Sequence, residues 1–271
     1  TGPGPAFVID ELRPARPPER IVCLTEEPTE ILYGLGEQDR IVGISAYTVR
    51  PEGAKEAHPV VSAFTGGSVE KIRALDPDLC IGFSDIQGPL ARELAEAGLS
   101  VLIFNQRSLS EILDVILRVG LLVGAEERAR KWVAELQERV RSCASRPRAE
   151  RPRVYFEEWD DPMICGIRWV SELIEVCGGE DVFSDRARSA AMAAGRTVEP
   201  EHVVEAAPEI VLASWCGKPF DRQAFISRPG FGQLPAVRSG RIHEIDPALV
   251  LQPGPAALTA GVDRISALRA E

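Results

Sequence analysis

The sequence predicts an α/β protein of two lobes, each built on a parallel sheet, joined by a single long helix. Three observations carry this. Short apolar runs alternate with helical segments, a pattern from the first half returns in the second, and a charged helix with one apolar stripe lies between the halves.

After a Pro-rich lead-in, RPARPPER, the runs RIVCL, RIVGIS, PVVSAF, PDLCIGF and VLIFN read as strands, interleaved with helical segments such as PTEILYGLG and GPLARELAEAG. Near-continuous apolar strands separated by helices imply a parallel sheet covered on both faces. This is a Rossmann-like lobe over residues 1–125, and the helix beginning at SLSEILDVIL is its last. Residues 126–146 form a highly charged helix whose apolar stripe is Ala129, Val133, Leu136 and Val140. Twenty helical residues extend about 30 Å, and no Gly or Pro interrupts them to make a hinge. A second Rossmann-like lobe, residues 147–271, follows with RVYFEEW, the helix RWVSELIEVC closed by Gly178 and Gly179, then EIVLASW and RIHEID.

The repeat supports this division. SVEKIRALDPDLCIGF returns as EPEHVVEAAPEIVLAS at one offset of 131 residues, which sets Glu70 on Glu201, Ile72 on Val203, Pro77 on Pro208 and Ile81 on Leu212. Glu70 and Glu201 fall at the second position of equivalent first turns, after Ser68 and Glu199 as caps. Either acid alone suits the positive end of its helix.

A chain of 271 residues with 45% hydrophobic and 27% charged residues is long enough for two cores, and no apolar run is long enough to span a bilayer. The net charge of −10 opposes binding to nucleic acid or anionic lipid. The six cysteines, Cys23, Cys80, Cys143, Cys165, Cys177 and Cys216, contain no CxxC and read as singly placed small hydrophobes. The chain opens TGPGPAFVID without an initiator Met, as a chain with a processed start does.

In open parallel sheets, ligands bind beyond the carboxyl ends of the strands. Five of the sixteen aromatic residues stand there: Tyr47, Phe64, Phe83, Trp159 and Trp215. They suit a broad, flat, mostly apolar ligand, or alternatively plug the sheet ends as core. Met163, in the loop WDDPMICGIRWV, offers an adaptable contact, while Trp169 reads as helix packing. Glu26 and Glu27 follow the first strand and complement the start of the next helix.

Catalytic constellations are lacking. The sequence has no GxSxG, P-loop, HExxH or strand-borne GxGxxG, and His58, His202 and His243 have no ligand spacing, so neither a catalytic residue nor a metal site is predicted.

RIVCLTEEPTEILYGLGEQDRIVGISAY, then SVEKIRALDPDLCI, then ELIEVCGGEDVF, resemble the substrate-binding proteins of ABC importers for vitamin B12 and siderophores, nearest the cobalamin-binding branch. The likeness runs from Arg20 onward. It implies a helical-backbone (class III) binding protein, periplasmic and monomeric, that carries a cobalamin-like corrinoid between its lobes to a permease dimer without chemistry or catalytic cofactor. It also implies roles. Tyr47, Phe64 and Phe83 fall on one wall of the ligand site, Trp159 to Met163 and Arg196 on the other, and Glu70 and Glu201 on the permease-docking surface. The chain departs from the family pattern in placing Glu26 and Glu27 at the crevice floor and only Gln252 in the C-terminal segment PALVLQPGPAAL. In the B12 binders the cysteine of EVCGG pairs with one near the C-terminus, but no Cys follows Cys216 here.

Two other readings stay open. The same architecture could take haem, for which Tyr47 is the one tyrosine at a strand exit, or a ferric siderophore, whose negative charge Glu26 and Glu27 oppose. A two-lobed α/β enzyme, such as a transferase, would need an activated nucleophile or base.

Overall fold

The computed structural model describes residues 16–145, 150–190 and 192–270. The chain start, where processing was expected, and residue 146, the expected end of the long helix, lie outside the described residues.

The first lobe runs β1 (Ile21–Cys23), α1 (Glu26–Gly34), β2 (Ile41–Ser45), α2 (Ala54–Ala57), β3 (Val60–Ser62), α3 (Val69–Ala74), β4 (Leu79–Phe83), α4 (Gly88–Glu96), β5 (Val101–Phe104) and α5 (Leu109–Leu122). Its five strands are all parallel, in the order β3-β2-β1-β4-β5. Ile21, Val22 and Cys23 of the central strand are fully buried, as the continuous apolar run required. Helix α5 starts with a reciprocal cap, Ser108 Oγ accepting from Glu111 N–H at 3.2 Å and Glu111 accepting from Ser108 N–H at 3.0 Å.

Helix α6 (Glu126–Ala144) connects the lobes. Ala129, Val133 and Leu136 of the predicted stripe are buried, Val140 is half-buried, and Cys143 extends the stripe by about one turn. At its first half Trp132 lies against Gly34 of α1, where an added Cβ would overlap the indole.

The second lobe contains β6 (Arg153–Asp160), β7 (Met163–Cys165), α7 (Arg168–Val176), β8 (Glu180–Asp181), α8 (Ser184–Ser189), α9 (Pro200–Ala206), β9 (Ile210–Ala213), α10 (Arg222–Ile226), α11 (Pro235–Ser239), β10 (Ile242–Glu244), α12 (Pro247–Val250) and α13 (Val262–Ala270). Strands β10, β9 and β6 are parallel neighbours. One expectation is corrected here. The segment after Trp159, read as a loop, turns at Asp161 and Pro162 and returns as β7, antiparallel to β6.

One apolar core spans both lobes through α6, joining Ile21 and Ile116 on one side to Val154, Leu173 and Leu258 on the other. Smaller cores lie under the outer faces of each sheet. No helix among the described residues is long and apolar enough to cross a membrane.

Candidate ligand-binding cleft

Polar contacts join the two lobes beside the carboxyl end of β1, at the base of the candidate cleft. Thr25, in extended conformation, starts α1 two residues earlier than the sequence suggested, so Glu26 and Glu27 form its first turn. Gln252 of the second lobe donates to Glu26 Oε1 at 3.0 Å. Gly254 packs against Glu27, and the N–H of Ala256 donates to Glu30 Oε2 at 3.1 Å. Gln106 likewise donates to the carbonyl of Pro253 at 3.0 Å.

These carboxyl groups are hard to ionise. Burial, then the charge of Glu26, pushes the Glu27 carboxyl up to about 8, and its Oε2 is buried without a hydrogen-bond partner. Burial also raises Glu26 and Glu30, against the opposing charges of Lys55 and Arg50 respectively. Glu30 sits one helical turn from Glu26 and pairs with Arg50 at 3.2 Å. The sequence reading missed Glu30, although that spacing was visible.

Cys216, after β9, is exposed, yet crowding by protein and then the charges of Glu158 and Glu26 raise its thiol.

The candidate aromatic residues divide into two groups. Tyr47 and Phe64 are 53% and 36% exposed, and each follows by two residues one member of the Ser45–Ser62 pair that registers β2 on β3. The two rings thus leave neighbouring strands at the same level. Trp159 is half-buried at the end of β6, its indole N–H donating to the carbonyl of Asp161 at 2.9 Å and Lys218 lying over its face. These three present ring surface outward.

Phe83 and Trp215 are enclosed. Phe83, 5% exposed, meets Trp169 of the other lobe edge-on at 6.2 Å and is covered by Arg107 at 5.1 Å. Trp169 is buried and donates to the carbonyl of Val250, which fits its packing assignment. Trp215 donates to Glu157 at 3.0 Å and packs on Phe220. Glu157 is fully buried and also accepts from Tyr155 at 2.9 Å and Arg228 at 2.5 Å, so this group is a satisfied network beneath the wall.

Two further candidates are internal. Met163 lies in the second lobe's own core with Tyr155, Val198 and Phe225, since β7 turns it inward. Arg196, 2% exposed, donates to both oxygens of Glu158 at 2.6 and 3.0 Å and to the carbonyl of Cys165 at 2.5 Å. That fork braces Glu158 on the wall.

Glu70 and Glu201 occupy matching places in the two lobes. Each is the exposed second residue of its helix, α3 or α9. Ser68 caps α3 by accepting from Lys71 N–H at 3.2 Å, and Glu199 N–H donates to His202 Nδ1 at 3.2 Å at the start of α9. Among the described residues no three His, Cys, Asp or Glu side chains gather to hold a metal ion.

Comparison with known proteins places this architecture. The chain is 28% identical over 206 residues to a vitamin B12-binding protein of Yersinia pestis (strain Pestoides F), covering 74% of this chain and 71% of that one. It is 26% identical over 260 residues to the uncharacterized ABC transporter substrate-binding lipoprotein YvrC of Bacillus subtilis (strain 168), covering 92% and 79%. In fold it is similar to the periplasmic heme-binding protein RhuT of Roseiflexus sp. RS-1, with a TM-score of 0.75 at 24% identity over 92% of this chain and 98% of that one. The profile of the family described as periplasmic binding protein matches residues 21–249, both lobes and the helix between them, and the chain belongs to that family.

Proposed function

We propose that this chain is the substrate-binding component of an ABC importer, that it works outside the cytoplasmic membrane, and that its cleft takes a corrinoid. The observation that carries the ligand class is the pair Tyr47 and Phe64, two large rings left in solvent at matched strand exits of the first lobe. Exposed apolar surface of this kind is stabilised by a partner, and flat rings suit a macrocycle held by stacking.

The base of the cleft favours a corrinoid over haem. A corrin carries neutral carboxamides at its rim, which pair with Gln252 and with Glu27 in the protonated form that its raised pKa favours. The two propionates of haem, or an anionic siderophore, would gain no countercharge from Glu26 and Glu30 and would make their ionisation harder still. The vitamin B12-binding relatives at 28% identity support the same choice.

Glu70 and Glu201 serve this function as docking charges, one from each lobe, offered to a two-fold permease. The chain acts as a carrier, releasing the ligand unchanged.

The test is spectroscopic. The protein is mixed separately with cobalamin, cobinamide and haemin, freed of unbound ligand and scanned in the visible range. One retained corrinoid per chain is the expected result. Retention of haemin alone overturns the ligand assignment.

A further inference from the structure

We infer that Cys143 and Cys177 form a disulfide that fastens α6 to α7. Their sulfur atoms are 3.7 Å apart, Cys143 in the last turn of α6 and Cys177 at the C-terminal cap of α7, 34 residues apart in sequence. A bond of about 2.05 Å is reached by small rotations of the two side chains.

The neighbouring chain seals the pair. Ser266 Oγ lies 2.9 Å from Cys143 Sγ, and Cys177 Sγ lies 3.5 Å from the carbonyl oxygen of Val262, so α13 covers both sulfurs. They are 3% and 2% exposed. Cys23 and Cys80 also occupy adjacent strands, but Cys80 registers with Val22, so Cys23 and Cys80 project from opposite faces of the sheet and cannot join.

The chemistry is thiol–disulfide exchange with a donor disulfide, which the proposed extracytoplasmic location supplies. One cysteine thiolate attacks the donor to form a mixed disulfide and releases one donor thiol. The second thiolate displaces the other donor sulfur, and the two electrons and two protons leave with the donor as a dithiol. Burial requires this exchange to precede docking of α13.

Refolding the purified full chain in a buffer of oxidised and reduced glutathione tests the pair without reference to location. After alkylation and unreduced digestion, one linked peptide pair joining residues 143 and 177 is expected. Both cysteines recovered alkylated, or either linked elsewhere, overturns the inference. Reductant should lower the melting midpoint of the linked protein by about 5–10 °C, the scale for closing a loop of this length. Cys143→Ser and Cys177→Ser should melt at that lower midpoint and not respond to reductant. A midpoint of the unsubstituted chain that reductant leaves unmoved also overturns it. Linkage in this buffer combined with reduced cysteines in cells would count against the proposed location alone.

Discussion

Lys218 holds its ammonium 4.4 Å from the ring centre of Trp159, and also lies 4.9 Å from Trp215 while pairing with Asp160 at 2.6 Å. The chain thus supplies its own cation to the ring face that a ligand would stack on. A contact of this kind at a partly exposed site contributes about 0.5–1 kcal/mol. Lys218→Ala should tighten corrinoid binding by about two- to fivefold, since the ligand no longer displaces the ammonium. Titration by intrinsic tryptophan fluorescence measures it, and weaker binding would assign Lys218 to the ligand instead.

The two groups of aromatic residues should respond differently to truncation. Phe83→Ala removes a ring buried between the lobes and should cost about 3–5 kcal/mol of stability. Tyr47→Ala and Phe64→Ala should leave denaturant midpoints within about 0.5 kcal/mol of the unsubstituted chain, yet weaken corrinoid binding by about 1–2 kcal/mol together. Equal stability losses at all three positions would return Tyr47 and Phe64 to the core.

Glu27 predicts a pH dependence. Its carboxyl titrates near 8 in the folded chain and near its ordinary 4.5 when unfolded, so the unfolded state releases this proton first. The associated stability is complete below about 4.5 and is lost as pH rises toward 8. Glu27→Gln should therefore match the unsubstituted chain at pH 4 and exceed it at pH 8.5, by a few kcal/mol. Thermal melts at the two pH values decide, and a constant difference would refute the assigned titration.

The docking charges permit a separation of roles. Glu70→Arg combined with Glu201→Arg should abolish complex formation with the cognate permease, with ligand affinity and melting temperature nearly unchanged. Both side chains are exposed, and neither forms an ion pair among the described residues. Docking that survives the double reversal, read by co-purification, would leave these acids as helix-end charges.

Much of the frame was legible because its signals are local. Continuous apolar runs marked the parallel strands, and the spacing of Ala129, Val133 and Leu136 marked the buried side of α6. Strand β7 was not, since three residues after an Asp-Pro turn carry too little alternation to register. The enclosure of Phe83 by Trp169 and of Trp215 by Phe220, and the seat of Lys218 on Trp159, depend on how separate segments pack. A strand exit identifies the end of a sheet, but not what folds over it. The same holds for Cys143 and Cys177, which read singly along the chain and meet only when α6 and α7 pack.

The unbroken core through α6 also bears on how the molecule comes apart. Trp132 is seated on Gly34 of the first lobe, while Arg139 pairs with Asp263 and Cys143 packs beside Cys177 in the second. A connection between lobes that is itself interior leaves no weak seam for a protease or for heat to open first. Melting should follow a single transition seen alike by tryptophan fluorescence and circular dichroism, and either lobe expressed alone would expose the strip that α6 now covers and clump through it.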